Sequence, residues 1–256
     1  MDIHKPKPVH SLRDFLKEFG TIVLGVSVAL AAEQGVEWWH WKNRVADARA
    51  AMLLELRDEN APQAYTRVAA RDCFEQQLND VQSAIEAERP RAEIATLIDN
   101  YRVPRRSWRT ASWDALLASD VASHIPPEQL IQWSLQHDNV PHLAAIGAEE
   151  EQDLAALRLT RSTGERLAQN EADTILAAVS RLHIDNFKMW ATGMGLLSNL
   201  RGGGIEVLPQ EQRRILDGLK ALFHGCVVTP SPFLGPPSLK DQLIGVRRDP
   251  LPGTGR

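Results

Sequence analysis

Hydrophobic and polar positions divide the chain into two regimes. From Phe19 to Ala32 the string FGTIVLGVSVALAA carries no charge and shows no polar face. Further on, apolar residues recur at helical spacings of three and four between charged ones, as in Phe74, Leu78, Val81 and Ile85. The first regime predicts a membrane span and the second a packed helical body.

The charge-free run is about 14 residues, shorter than the roughly 20 that a span requires. Its flanks extend it. Leu12, Phe15 and Leu16 lengthen the apolar surface upstream, and Gln34, Gly35, Val36 and the Trp38-Trp39-His40-Trp41 cluster lengthen it downstream. The result is a helix of about 27 residues, Phe15 to Trp41, with Lys17, Glu18, Glu33 and Glu37 near the two interfaces, where charge costs far less than at the midplane. The tryptophans suit an aromatic belt. A cleaved secretory signal is the rival reading, since Ala29-Leu30-Ala31 resembles a signal-peptidase site. Asp2, Asp14 and Glu18 in a long leading segment argue against it. A helix lying flat on the bilayer would need a charged face, and residues 19 to 32 have none.

Lys5, Lys7, Arg13 and Lys17 precede the span, so the positive-inside rule favours a cytoplasmic N-terminus and a periplasmic body in a bacterial inner membrane. Along the span, Gly25, Ala29, Glu33 and Glu37 lie four apart on one slowly drifting row, with Ser27, Ala31 and Gly35 beside it. Small residues at that spacing let a second helix approach closely, so the expected partners are membrane lipid and either a protein partner or a second copy of the chain. Glu33 also permits a proton-carrying role as accessory subunit of an ion-driven complex, although its place near the interface and beside Glu37 favours a boundary residue.

Helix formers from Lys42 to Asn60 predict that the span continues outward as a stalk, kinked or ended at Pro62. A packed helix then reaches about Glu88 and stops at Pro90, followed by a short helix over Glu93 to Asn100 and a loop, YRVPRRSWR. Thr110 or Ser112 caps the next helix, Pro127 sits in the first turn of another, and Pro141 interrupts it before a helix from about His142 to Arg161. Ser162 and Glu165 form a capping box for a long helix in which Ile175, Leu182, Met189 and Leu196 repeat every seven residues, with Val179, Asn186, Gly193 and Leu200 between them. Gly202 to Gly204 end it, and a last helix spans Pro209 to His224. No strand-type alternation appears. The expected fold is all-α: a cytoplasmic lead (1–11), a transmembrane helix (12–41), an extracytoplasmic antiparallel bundle with its stalk (42–228) and a Pro/Gly-rich disordered tail (229–256).

Composition narrows the classes. With 43% hydrophobic residues, 24% charged residues and a net charge of −4, no nucleic-acid partner is implied. Cys73 and Cys226 are the only cysteines. In an oxidising compartment such a pair reads as one long-range disulfide, the alternative being two separate buried thiols.

The string LRDFLKEFGTIVLGVSVALAAEQGVEWWHW, residues 12 to 41, resembles the N-terminus of a group of uncharacterised single-span membrane proteins of alphaproteobacteria. WRTASWDALLASDVASHIPPEQL, residues 108 to 130, is similar to their second recognisable block. The resemblance implies a membrane anchor with an extracytoplasmic helical domain and carries no catalytic residue, because the group has no known activity.

Chemistry is sparse. Arg102, Arg105, Arg106 and Arg109, interleaved with Tyr101 and Trp108, form the densest basic patch, suited to an anionic headgroup, a cell-wall polymer or an acidic partner. Internal pairing with the Glu149-Glu150-Glu151-Gln152-Asp153 run is the plainer reading. The eight histidines lack metal-ligand spacing, the Gly202–Gly204 turn lacks the lysine of a phosphate loop, and Cys73 has no evident base partner. No catalytic residue, metal set or cofactor is therefore assigned. The expected function is a membrane-anchored periplasmic interaction module, a scaffold or accessory subunit without chemistry of its own. The alternative is an envelope hydrolase whose site assembles only in three dimensions from groups such as His183, Asp185 or Arg105.

Overall fold

A computed structural model describes residues 12–104, 107–158, 165–223 and 225–230. The lead 1–11, Arg105, Arg106, Ser162, His224 and nearly all of the tail therefore lie outside the described residues. Among the described residues every regular element is helical.

Helix α1 runs without a break from Leu12 to Leu54, uniting the predicted span and stalk. It passes into a π-helical segment, Glu55–Asn60, and then into α2, Ala61–Ala69. Pro62 does not end the rod. A proline in an α-helix removes one N–H and drives its ring against the carbonyl four residues back. Here the wider turn just before it relieves that crowding, with Ala61 N–H reaching the carbonyl of Leu56.

Helix α3, Arg71–Glu86, buries Phe74, Leu78, Val81 and Ile85 as their spacing predicts. Glu88 then takes a left-handed conformation (φ 49°) and the Arg89 N–H returns to the Ala84 carbonyl at 3.0 Å. Helices α4 (Arg91–Asn100), α5 (Ala111–Leu117) and α6 (Pro127–His137) follow, with a 3₁₀ turn, Asp120–His124, between the last two. Pro127 lies in the first turn of α6, and Pro141 in that of α7, Asn139–Arg158. Pro141 is thus accepted where its missing N–H has no intrahelical partner to lose.

The longest body helix, α8 (Gln169–Gly202), starts later than the capping-box reading of Ser162 and Glu165 expects. Glu171 sets its start: the Glu171 carboxylate accepts the Ala168 N–H at 3.1 Å and holds Arg91 of α4 through Nη1 and Nη2 of its guanidinium. At the other end Gly204 (φ 77°) turns the chain and the Ile205 N–H returns to the Leu200 carbonyl. Helix α9, Pro209–Phe223, closes the body.

Helices α7 and α8 are antiparallel, as the pairs Asp153–Arg181 and Glu149–Lys188 show, and Leu135 of α6 meets Asn199 farther along α8. The opposite face of α8 packs against α2 and α3. Every residue of both predicted heptad series on α8 is buried, and Gly193 lies so close to α2 that an added Cβ would stand 3.3 Å from Val68 Cγ2. Asn186 donates to the Arg71 carbonyl and the Glu75 carboxylate, fixing α8 against α3. Cys73 and Cys226 are bridged, with Cα atoms 5.0 Å apart, and Val228 N–H donates to the Ala69 carbonyl. The chain beyond α9 is therefore tied to the α2–α3 junction as far as Pro230.

Two apolar cores result. The larger joins α2, α3, α4, α7, α8 and α9. The smaller gathers Met52, Leu116, Val121, Ile125 and Trp133, against which Trp41, Val45 and Ala48 of α1 and Trp113 of α5 pack. The stalk is thus sheathed on one side by α5, the 3₁₀ turn and α6.

Candidate functional site

The strongest functional signal lies in α1. Its upstream part is apolar and contains a window of mean hydropathy 1.7 in which no residue is buried, making this the one helix among the described residues long and apolar enough to cross a membrane. Ile22, Leu24, Val26, Val28 and Leu30 all point outward. A soluble protein seldom leaves so much contiguous apolar surface open without a use for it.

Gly25, Ala29, Glu33 and Glu37 are all exposed on this helix. A side chain added at Gly25 or Gly35 would meet nothing within 4 Å, so their smallness serves no contact inside the chain. At the downstream end, Trp38 and Trp39 are exposed, with the Lys42 ammonium 5.0 Å from the Trp38 ring centre. Trp41 turns toward the body, stacked 3.7 Å from His124 and 4.9 Å from the Arg44 guanidinium. Aromatic rings carrying cations at the end of an apolar helix match the chemistry of a headgroup layer.

The basic loop is partly absorbed by the fold. Arg109 pairs with Glu59 at 2.7 Å, while its backbone N–H and carbonyl both bond to the side chain of Asn60. Arg102 is exposed and its N–H donates to Gln77. Arg105 and Arg106 lie outside the described residues. Three members of the acidic run have partners elsewhere in the body. Glu149 pairs with Lys188, Asp153 with Arg181, and Glu150 turns inward to Arg67 at 2.6 Å, so the run is not a wholly solvated face. Tyr101, within the predicted loop, is 1% exposed and packs edge-on to Phe74; burial pushes its phenol well above the ordinary range.

Of the groups that would build a hydrolase, His183 and Asp185 do not converge, and Arg105 lies outside the described residues. His183 faces α3, its Nδ1 2.6 Å from Glu75, whereas Asp185 faces α7 beside Lys188. A shallow groove lined by Glu149, Asp153, Arg181, Asp185 and Lys188 holds two ion pairs between α7 and α8, Asp153–Arg181 and Glu149–Lys188, and the Asp185–Lys188 pair within α8. Asp185 is 3% exposed, and burial raises its carboxyl to about 6 although Lys188 opposes the rise. A second, mainly apolar crevice runs past Tyr65, Met194, Leu197, Ile205 and Pro230. Among the described residues no three His, Cys, Asp or Glu side chains are grouped to hold a metal.

A last polar cluster sits at the junction of stalk and body, where sequence patterns gave no signal. Glu55, at the head of the π segment, accepts the N–H of Ser112 at 3.0 Å and so caps α5 from another helix. His137 lies flat against Trp113, with ring centres 4.9 Å apart, and donates from Nδ1 to the Trp133 carbonyl. No protein-family model, curated protein or solved structure matches the chain.

Proposed function

We propose that this chain is a single-pass membrane protein whose helical body works as a docking module in an oxidising extracytoplasmic space. The observation that carries the reading is the union, in one unbroken helix, of an outward-facing apolar stretch and a stalk built into a disulfide-closed body. Such a bridge is at home outside the reducing cytoplasm, in line with the cytoplasmic N-terminus that the basic lead favours. The body offers a broad helical surface on its stalk, which supports a scaffold or accessory subunit.

The same helix supplies a means of self-association. Gly25 and Ala29 leave a shallow face against which another helix can lie. Gly25→Leu and Ala29→Leu are expected to lower crosslinking between copies in membranes by several-fold.

Anchoring itself is tested by fractionation. The full-length chain should remain in the membrane pellet after alkaline carbonate extraction, its N-terminal residues intact, with Arg102 and Arg109 open to protease only from the periplasmic side. Release by carbonate, or a mature chain starting near Ala32, would overturn the anchor, and proteolysis from the cytoplasmic side would overturn the orientation.

A further inference from the structure

Two buried polar atoms at the stalk junction have no hydrogen-bond partner among the described residues: Glu55 Oε1 and His137 Nε2. Their residues are 6% and 2% exposed. They belong to one locality, because the Glu55 carboxylate holds the N–H of Ser112 and the next residue, Trp113, covers the His137 ring. An unsatisfied buried polar group costs free energy, and its persistence at a joint between elements calls for a use.

We propose that α5 and the 3₁₀ turn form a proton-operated latch on the stalk, shut while the His137 imidazole is neutral and released when its Nε2 takes a proton from solvent. The neutral ring suits its place: Nδ1–H is bonded, and the aromatic face of Trp113 covers the rest. A proton on Nε2 would put a full charge into a site where that atom finds no acceptor in bonding range.

The groups that act on this ring come from each neighbouring element. Glu55 of the π segment and Asp114 of α5 both favour the protonated ring, and burial opposes them more strongly, holding His137 below its ordinary 6.5. Helix α8 meets the end of α6 through Asn199 and Gly203, both uncharged. That contact secures α6, so α5 and the 3₁₀ turn are the parts free to move. Their hold on the stalk is a small core of five buried residues. Opening would uncover Trp41, Val45 and Met52 directly beside the apolar stretch of α1. Small, separately packed units open well before a whole domain unfolds.

Hydrogen exchange on the full-length protein in lipid nanodiscs, corrected for intrinsic rates, reads the latch directly. Between pH 7 and pH 5 the opening constant of residues 111–125 should rise by up to about twenty-five-fold, the ceiling for a group that takes its proton only in the open form near pH 6.5. Amides of 175–200 should keep their protection. His137→Phe should abolish the acid response, and Glu55→Gln, which removes a charge favouring the protonated ring, should enlarge it. His124→Asn should leave the response in place, separating the buried imidazole from the one stacked on Trp41. Equal protection at both pH values, or an undiminished response in His137→Phe, overturns the proposal. Should His137→Phe fail to fold, an unaltered response in Glu55→Gln overturns it instead.

Discussion

Arg67 and Glu150 meet at 2.6 Å inside the body, with side chains only 4% and 8% exposed. The guanidinium also lies 4.9 Å from the Phe74 ring centre, so one pair joins α2, α3 and α7. Desolvating two charges is expensive, and such a pair adds little net stability over a well-packed apolar one. Removing a single partner is different, because it strands the other charge. Glu150→Ala and Arg67→Ala should each cost about 3 to 5 kcal/mol in urea unfolding of the detergent-solubilised chain. The double variant Arg67→Met/Glu150→Leu should lose much less than their sum. Additive losses would show that the two residues act independently.

The Cys73–Cys226 bridge closes a loop with a sequence separation of 153 and holds the segment after α9 on Ala69. Replacing both cysteines by serine should destabilise the body by about 2 to 5 kcal/mol. For a chain of this size that lowers the melting temperature by roughly 5 to 15 °C. The same variant should expose the amides of 226–228 to exchange while those of α8 stay protected.

Asp185 binds its proton more tightly in the folded chain than its ordinary value of 3.8 allows, titrating at about 6. The folded state therefore holds more protons than the unfolded state between those limits, and this carboxyl lowers stability as pH rises from 4 to 6, the penalty then staying constant. The difference corresponds to about 3 kcal/mol. Asp185→Asn should raise stability at pH 7.5 by about 1 to 3 kcal/mol and flatten the decline between pH 4 and pH 6. A variant less stable than wild type at pH 7.5 would show that the Lys188 contact outweighs the burial.

Glu88 closes α3 in a conformation that costs residues with a side chain about 1 to 2 kcal/mol. Its ion pair with Arg166 is exposed at both ends and offsets little of that. Glu88→Gly should stabilise the body by up to about 1 kcal/mol, and Glu88→Val should destabilise it by a similar amount. Thermal unfolding of the two variants side by side decides the sign.

The parts of the fold legible in the sequence are those set by local periodicity. The eight residues of the α8 heptads, the apolar face of α3 and the proline that opens α6 are all read from spacing alone. The bridge could be read from the cysteine count once a compartment was assumed. What escaped depends on contacts between distant segments. Tyr101 sits in a stretch of arginines and prolines, yet Phe74 and the Arg67–Glu150 region enclose it. Glu150 looks like its acidic neighbours until α2 is laid against it. The π segment hides within a run of good helix formers, since a widened turn is decided by where Pro62 must fit and by what Glu55 and Leu56 bury. The sheathing of the stalk by α5 and the 3₁₀ turn likewise left no periodic trace.

From Leu12 to Ala69 the backbone is helical throughout, and its only irregularity is the widened turn at Glu55–Asn60. A twist or tilt imposed on the exposed apolar half has no slack linker in which to dissipate. It must either be taken up by that turn, directly beneath the cap of α5, or be delivered to Arg67 in the interior. The molecule is in this sense a lever with its fulcrum at Glu55, and a force applied at Gly25 or Ala29 would reach the heart of the body.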